Sequence, residues 1–256
     1  MSYSPTPPAR ETTGVSRFEY KYLIDERTAV AVRDFARSRL VRDTFADARR
    51  GDYPTHSVYL DAAGLPIYRA SCDGHRNRFK IRARYYDDKP DGVVFFEIKR
   101  RLNNTIVKER ARIHRPAALE ILRGRPPVAA DLVKVGDVKQ LESLRRFAEL
   151  RDADGGSTPR VIVSYLREAW VKEGESQTRL TFDRELRGAR WAGRFEAARG
   201  PVCPLPLPQA QVVLEMKFVD RFPTWFADMA RELGLERRSM AKYCRVTDQL
   251  NGYARV

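Results

Sequence analysis

The sequence predicts an α+β chain in which about eight antiparallel strands close into a barrel, with helices packed outside and a tunnel within. Three observations lead there. Arg76, Arg78, Lys80, Arg82 and Arg84 fall at every second position, and successive strand residues point to opposite faces, so this run is a strand with one cationic side. Other strand-like runs repeat the alternation, with helical spacings of apolar residues between them. The apolar faces of those strands need a cover. If the helices supply it from outside, the ionic faces turn inward and enclose a charged lumen.

Residues 1–14 read as a disordered lead-in, with Pro5, Pro7 and Pro8 among polar residues, and residues 15–256 as a single domain. A first strand spans 18–24. Asp25 then stands as an N-cap before a helix over 26–40, where Ala29, Val32, Ala36 and Leu40 recur at helical spacing. Residues 43–54 read as a polar connection, and 57–61 as a strand. The cationic strand over 76–86 turns at 87–92 and returns as 93–101, with Glu97, Lys99 and Arg101 on one face. Residues 105–113 repeat the pattern, with Lys108, Arg110 and Arg112 on one side. Helices are expected over 116–122 and 137–151, and a flexible joint over 152–159. Strands resume at 161–171, 179–183 and 211–219, and two helices, 223–233 and 239–250, close the chain. The halves resemble each other loosely, each ending a strand set in Glu-x-Lys: Glu97 with Lys99, and Glu215 with Lys217.

Composition narrows the partner. The chain has 256 residues, 43% of them hydrophobic, enough for a sizeable core. Lys and Arg number 48 against 34 Asp and Glu, and the net charge of +14 calls for a polyanion: nucleic acid, anionic membrane or a phosphate-rich small molecule. Cys72, Cys203 and Cys244 are far apart, which argues against a disulfide framework or a structural zinc and suits a reducing cytoplasm. There is no secretory h-region and no apolar run near the ~20 residues of a membrane span, so no transmembrane segment is expected. His56, His75 and His114 are scattered, and no phosphate loop, G-x-S-x-G, kinase or H-E-x-x-H motif occurs. Tyr85, Tyr86, Phe95 and Phe96 read as core rather than as base-stacking platforms, so nucleic acid is not the expected partner.

An ionic strand face usually meets water, but its repetition on several strands favours convergence. Arg then supplies planar paired donors for phosphate oxygens and Lys a mobile point charge, so a chain of phosphates matches cations spaced along several strands. Glu19 and Glu97 either hold neighbouring cations in place or bind a hard divalent ion. Glu215 is the stronger metal candidate, because it interrupts an apolar strand.

Nine segments in order carry a resemblance: Arg17-Phe-Glu-Tyr-Lys-Tyr, Ser57-Val-Tyr-Leu-Asp, Gly74 before Arg78-Phe-Lys-Ile-Arg-Ala-Arg-Tyr-Tyr, Phe96-Glu-Ile-Lys, Lys108-Glu-Arg, Tyr165-Leu-Arg, Arg179-Leu-Thr-Phe-Asp, Leu214-Glu-Met-Lys and Ala241-Lys-Tyr. From about Arg17 to Asn251 the chain resembles the VTC (vacuolar transporter chaperone) family of polyphosphate polymerases, within the triphosphate tunnel metalloenzymes. The resemblance implies an antiparallel tunnel in which Lys21, Arg82, Arg84, Lys99, Arg167, Arg179 and Lys242 face phosphate and Glu215 binds Mn²⁺ or Mg²⁺. Lys99, Arg84 and Arg82 would act at the reacting phosphate, and alternation adds Lys80, Lys108, Arg110 and Lys217 to the lining. It further implies ATP and inorganic polyphosphate as substrates, and a cytoplasmic chain peripheral to a membrane-protein partner. Two departures matter. Ala241 stands where the family often has Ser, so a hydroxyl contact is lost or moved to Ser239. The first strand, Arg17-x-Glu19-x-Lys21, lies between the hydrolytic and the polymerase patterns, which leaves open a tunnel triphosphatase or a non-catalytic polyphosphate or inositol-phosphate binder.

Overall fold

The computed structural model describes residues 17–252 apart from Ala48, Asn104 and Asp154, so the lead-in expected over 1–14 lies outside the described residues. The strands are β1 (Arg17–Ile24), β2 (Val41–Arg42), β3 (Tyr53–Asp61), β4 (Asn77–Tyr85), β5 (Val93–Leu102), β6 (Thr105–His114), β7 (Thr158–Lys172), β8 (Glu175–Arg190) and β9 (Val212–Val219). The helices are α1 (Glu26–Ala36), α2 (Pro66–Cys72), α3 (Arg115–Leu122), α4 (Val138–Asp152), α5 (Thr224–Glu232) and α6 (Lys242–Asn251). The class is α+β, as the sequence indicates. One antiparallel sheet runs β1-β9-β8-β7-β3-β4-β5-β6, with the two-residue β2 attached to β7.

The expected closed barrel is corrected by this order. β1 and β6 are the two edges of the sheet, and no ladder joins them among the described residues. Lys108, Arg110 and Arg112 run along β6, and a charged edge resists further pairing. The sheet nevertheless curls until its edges meet. Lys99 on β5 reaches Glu19 on β1 at 3.2 Å, although these strands stand near opposite ends of the strand order.

Strand parity decides which side chains the helices cover. Ile81, Ala83, Phe96, Ile98, Ala111 and Ile113 share a buried cluster with Ala118 and Ile121 of α3 and Leu144 and Phe147 of α4. Phe96 and Phe147 stack with ring centroids 4.3 Å apart, and burying each ring is worth about 1.5–3 kcal/mol of transfer free energy. A second cluster joins Tyr22, Leu214, Met216 and Phe218 to Ala29 and Val32 of α1 and to Phe226 and Met229 of α5. Asp25 caps α1 by accepting a hydrogen bond from the Thr28 amide at 2.7 Å. α6 packs on β8 at Gly188, where any added Cβ would collide with Val246. That close approach carries the first turn of α6 to the concave side.

Several elements differ from the reading of the sequence. The helix expected over 26–40 ends at Ala36. β3 starts at Tyr53, inside the expected polar connection, where it pairs with β7 from Tyr53 onward and His56 Nδ1 meets Ser164 Oγ at 2.8 Å. β8 runs on to Arg190 past the expected end at Asp183, its polar residues having read as a loop. β4 begins at Asn77, so Arg76 falls outside the strand. α2 was not expected; its seven residues are too few to show a periodicity. Among the described residues, no helix is long and apolar enough to cross a membrane.

Candidate functional site

The curled sheet surrounds a cavity of about 790 Å³. Fifteen Lys and Arg side chains and four Glu line it, an excess of eleven positive charges. The alternation on β4 explains half of this wall: Lys80, Arg82 and Arg84 face the cavity while Ile81, Ala83 and Tyr85 are buried behind them. Cross-strand register then aligns the charges in rows. One row is Arg82–Glu97–Arg110 and the next is Lys80–Lys99–Lys108, both running across β4, β5 and β6. On the opposite wall the rows are Lys21–Glu215–Thr181 and Glu19–Lys217–Arg179, across β1, β9 and β8.

The carboxylates are gripped by the cations. Glu97 is held by Arg82 at 2.7 Å, Arg110 at 3.4 Å and Arg84 at 3.8 Å. Burial pushes its pKa up, but Arg84, Arg82 and Arg110 outweigh that and hold the carboxyl far below the usual range. Glu215 meets Lys217 at 2.6 Å, Lys242 at 2.8 Å, Arg167 at 3.3 Å and Lys21 at 3.8 Å. Burial opposes its ionisation as well, and again the surrounding cations prevail. Glu19 is likewise lowered against burial by Lys99, Lys21 and Lys217. Behind them, Asp183 takes Arg167 through a two-pronged pair at 2.6 Å per prong and Lys242 at 2.6 Å.

The lysines diverge. Burial lowers Lys217 to about 7 in spite of Glu215, and lowers Lys108 to about 8 with help from the neighbouring Lys99 charge. Lys80 is lowered too, again first by burial. Neither Lys80 nor Lys108 has a carboxylate within 4 Å among the described residues. Lys242 behaves oppositely: burial would lower it, but Asp183 and Glu215 raise it.

Lys242 is also fixed mechanically. Its neighbour Tyr243 donates to Asp61 at 2.8 Å, and Asp61 accepts the amides of Ala62, Ile67 and Tyr68 at 2.8–3.0 Å. Lys21 donates to the Met240 carbonyl at 2.9 Å, which ties β1 to the entry of α6.

With this geometry in hand, comparison with known proteins is informative. The VTC domain matches residues 16–251. The chain belongs to the VTC-domain family. No curated protein sequence matches significantly. Among solved structures, a candidate adenylyl cyclase from Hippeastrum, described as having a dominant triphosphatase activity, aligns over 93% of this chain and 97% of its own at 13% identity and a TM-score of 0.46.

In this VTC domain the residues singled out from sequence all border the same cavity: Lys21, Lys80, Arg82, Arg84, Lys99, Lys108, Arg110, Arg167, Arg179, Lys217 and Lys242, with Glu19, Glu97 and Glu215. Arg76 does not, being outside the strand and absent from the lining. Arg78 and Arg101, which alternation places on the same charged faces, line it as well, but sequence reasoning missed Arg237 and Arg238 and the tyrosines Tyr59 and Tyr165. Arg78 and Arg101 are cross-strand partners. Arg237 and Arg238 sit in irregular backbone before α6, where no periodicity marks them. Asp183 was visible only as the end of the Arg179 segment, and nothing local announces its burial beneath Arg167.

A divalent ion needs oxygen donors. Among the described residues no cluster of three or more His, Cys, Asp or Glu is preformed. Glu19 and Glu215 do lie on either side of the Lys21 ammonium, at 3.3 and 3.8 Å from it. Two carboxylates suffice for Mg²⁺ or Mn²⁺ when phosphate oxygens complete the shell. Glu97 stands apart from this pair, bound to Arg82, Arg84 and Arg110.

Proposed function

We propose that this VTC-domain chain is a polyphosphate polymerase-like phosphotransferase, in which the curled sheet forms a tunnel and the ATP γ-phosphate passes to the end of a growing polyphosphate chain. The observation that supports it best is the row Lys80–Lys99–Lys108 beside the row Arg82–Glu97–Arg110. Like charges set directly opposite one another repel, and a polyanion threaded between them relieves the repulsion.

In this reading Arg82, Arg84 and Lys99 hold the reacting phosphate in line and offset the charge that develops on its oxygens. Glu97 keeps the guanidiniums of Arg82, Arg84 and Arg110 pointed into the tunnel. Lys21, Lys80, Lys108, Arg167, Arg179, Lys217 and Lys242 seat the flanking phosphates. Glu215 with Glu19 would hold Mn²⁺ or Mg²⁺, which supplies further neutralisation of phosphate charge when bound. The three glutamates are poor bases, because the cations around them stabilise the ionised form. A phosphate acceptor is already ionised and needs no base, so transfer to phosphate suits this cavity.

A second reading, hydrolysis by a tunnel triphosphatase, is favoured by one feature. Burial brings Lys217 down to about 7, toward the neutral form that a base for water would need. Incubation with ATP and Mn²⁺, resolved by chain length on a gel, separates the two: a ladder of polymer supports the polymerase, and orthophosphate alone supports hydrolysis. Lys99→Ala, Arg84→Ala and Glu215→Gln are each expected to abolish polymer formation. Wild-type synthesis by these variants would sink the assignment.

A further inference from the structure

Among the neutral hydroxyls that line the cavity, that of Tyr59 is held in place with a proton to give. Tyr59 on β3 lies opposite Arg82 in register and lines the cavity, yet is only 7% exposed. Arg82 Nη1 donates to its hydroxyl oxygen at 3.0 Å, which uses an acceptor site of that oxygen. The hydroxyl's own proton has no acceptor among the described residues. Buried hydroxyls rarely leave their proton unused, because an unmade hydrogen bond costs the full desolvation of the group.

The ring around this hydroxyl is fixed. It stacks on Tyr243 with centroids 4.8 Å apart and an interplanar angle of 15°, and Tyr243 is itself anchored on Asp61. The hydroxyl therefore cannot swing away to find another partner without breaking the stack.

We propose that the Tyr59 hydroxyl is a phosphate contact, donating its proton to an oxygen of the bound phosphate chain beside Arg82. The inference rests on the phosphate-chain reading of the cavity given above. It accounts for a donor that adds no further positive charge to a crowded lumen. The electrostatics agree. Burial would raise this phenol, but Arg82, Arg84 and Lys80 on β4 outweigh it and bring it down to about 8. An O–H so acidified is a stronger donor to an anion. Arriving phosphates would in turn hold the proton on Tyr59, since a second anion there is unfavourable.

The test is Tyr59→Phe, which keeps the ring and its stack and removes only the hydroxyl. Calorimetric titration with tripolyphosphate at neutral pH is expected to give binding weakened ~10-fold, whereas affinity within ~2-fold of wild type overturns the inference. A wild-type protein that takes up no tripolyphosphate would instead overturn the phosphate-chain reading itself. A second measurement stands even if the variant folds poorly. In the wild type, tyrosinate absorbance should show one early step, well before the ordinary tyrosine range near ~10. Saturating tripolyphosphate should delay that step to higher pH, and an undisplaced step counts against the contact.

Discussion

Where β1, β7, β9 and α6 meet, the cations Lys21, Arg167, Lys217 and Lys242 share two buried carboxylates, Glu215 and Asp183. Across the lumen on β4 and β6, Lys80 and Lys108 face Lys99 with no carboxylate of their own. Lys99 borrows Glu19 from the first wall. The two walls differ in how their cations are matched by carboxylates. The paired wall is complete before any ligand arrives, because burying so many charges without partners would be prohibitive. The second wall matches Arg82, Arg84 and Arg110 with Glu97 but leaves Lys80 and Lys108 with charge to spend on an incoming anion. The first wall is scaffold as well as lining; the second is chiefly receptor.

Removing one member of the paired wall should do the greatest damage. Asp183→Asn leaves Arg167 and Lys242 buried with a weaker partner, and breaking a buried pair this way costs about 3–5 kcal/mol. Urea denaturation is the check; a loss below about 1 kcal/mol would mean that the first wall is not scaffold.

The receptor wall should respond the other way. Lys80→Ala and Lys108→Ala are expected to leave the free protein as stable as wild type, or slightly more so, while each weakens tripolyphosphate binding ~10-fold. The rise in melting temperature produced by saturating tripolyphosphate should shrink accordingly. Unchanged affinity in both variants would erase the distinction between the walls.

The smallest effect is a pH slope. Lys217 at about 7 and Lys108 at about 8 are both lowered by burial relative to an unfolded lysine. Below the lower of these values both lysines are charged in either state, and folding bears the full cost of burying them. As pH rises from there towards the unfolded value of ~10.4, the unfolded chain keeps protons that the folded protein has released, so stability climbs. Lys242, raised by Asp183 and Glu215, works in the opposite sense, but its contribution is lost only above that window. Thermal melts of the free protein across neutral to mildly alkaline pH should therefore rise, and Lys217→Met should flatten the rise. Tripolyphosphate affinity should fall over the same range, because the ligand favours the protonated lysines.

The receptor wall was the more legible of the two. Its residues alternate within single strands, so parity alone brings Lys80, Arg82 and Arg84 to one face, with Glu97 and Lys99 beside them. The paired wall depends on contacts far apart in the chain. Lys242 enters from a helix and meets Asp183 and Glu215, so its place came from the family resemblance rather than from periodicity. Asp183 escaped because a carboxylate at a strand end looks like a turn residue until its burial is known. The closed barrel was expected because curvature and closure look alike from a strand pattern. Whether the last edges pair depends on where they meet in space, and that is not written in any local window.

The junction of β1 and β6 carries its own consequence. The neighbouring strands of the sheet are joined by backbone ladders, which hold strand spacing to a fixed value, but here the edges only approach, and Lys99 of β5 reaches across to Glu19 of β1. A circumference completed by a side-chain clasp is adjustable in a way that a hydrogen-bonded ring is not. It loosens as ionic strength rises, and it can part lengthwise without unzipping any strand. Under the polyphosphate reading proposed above, a polymer lodged there would have a sideways exit.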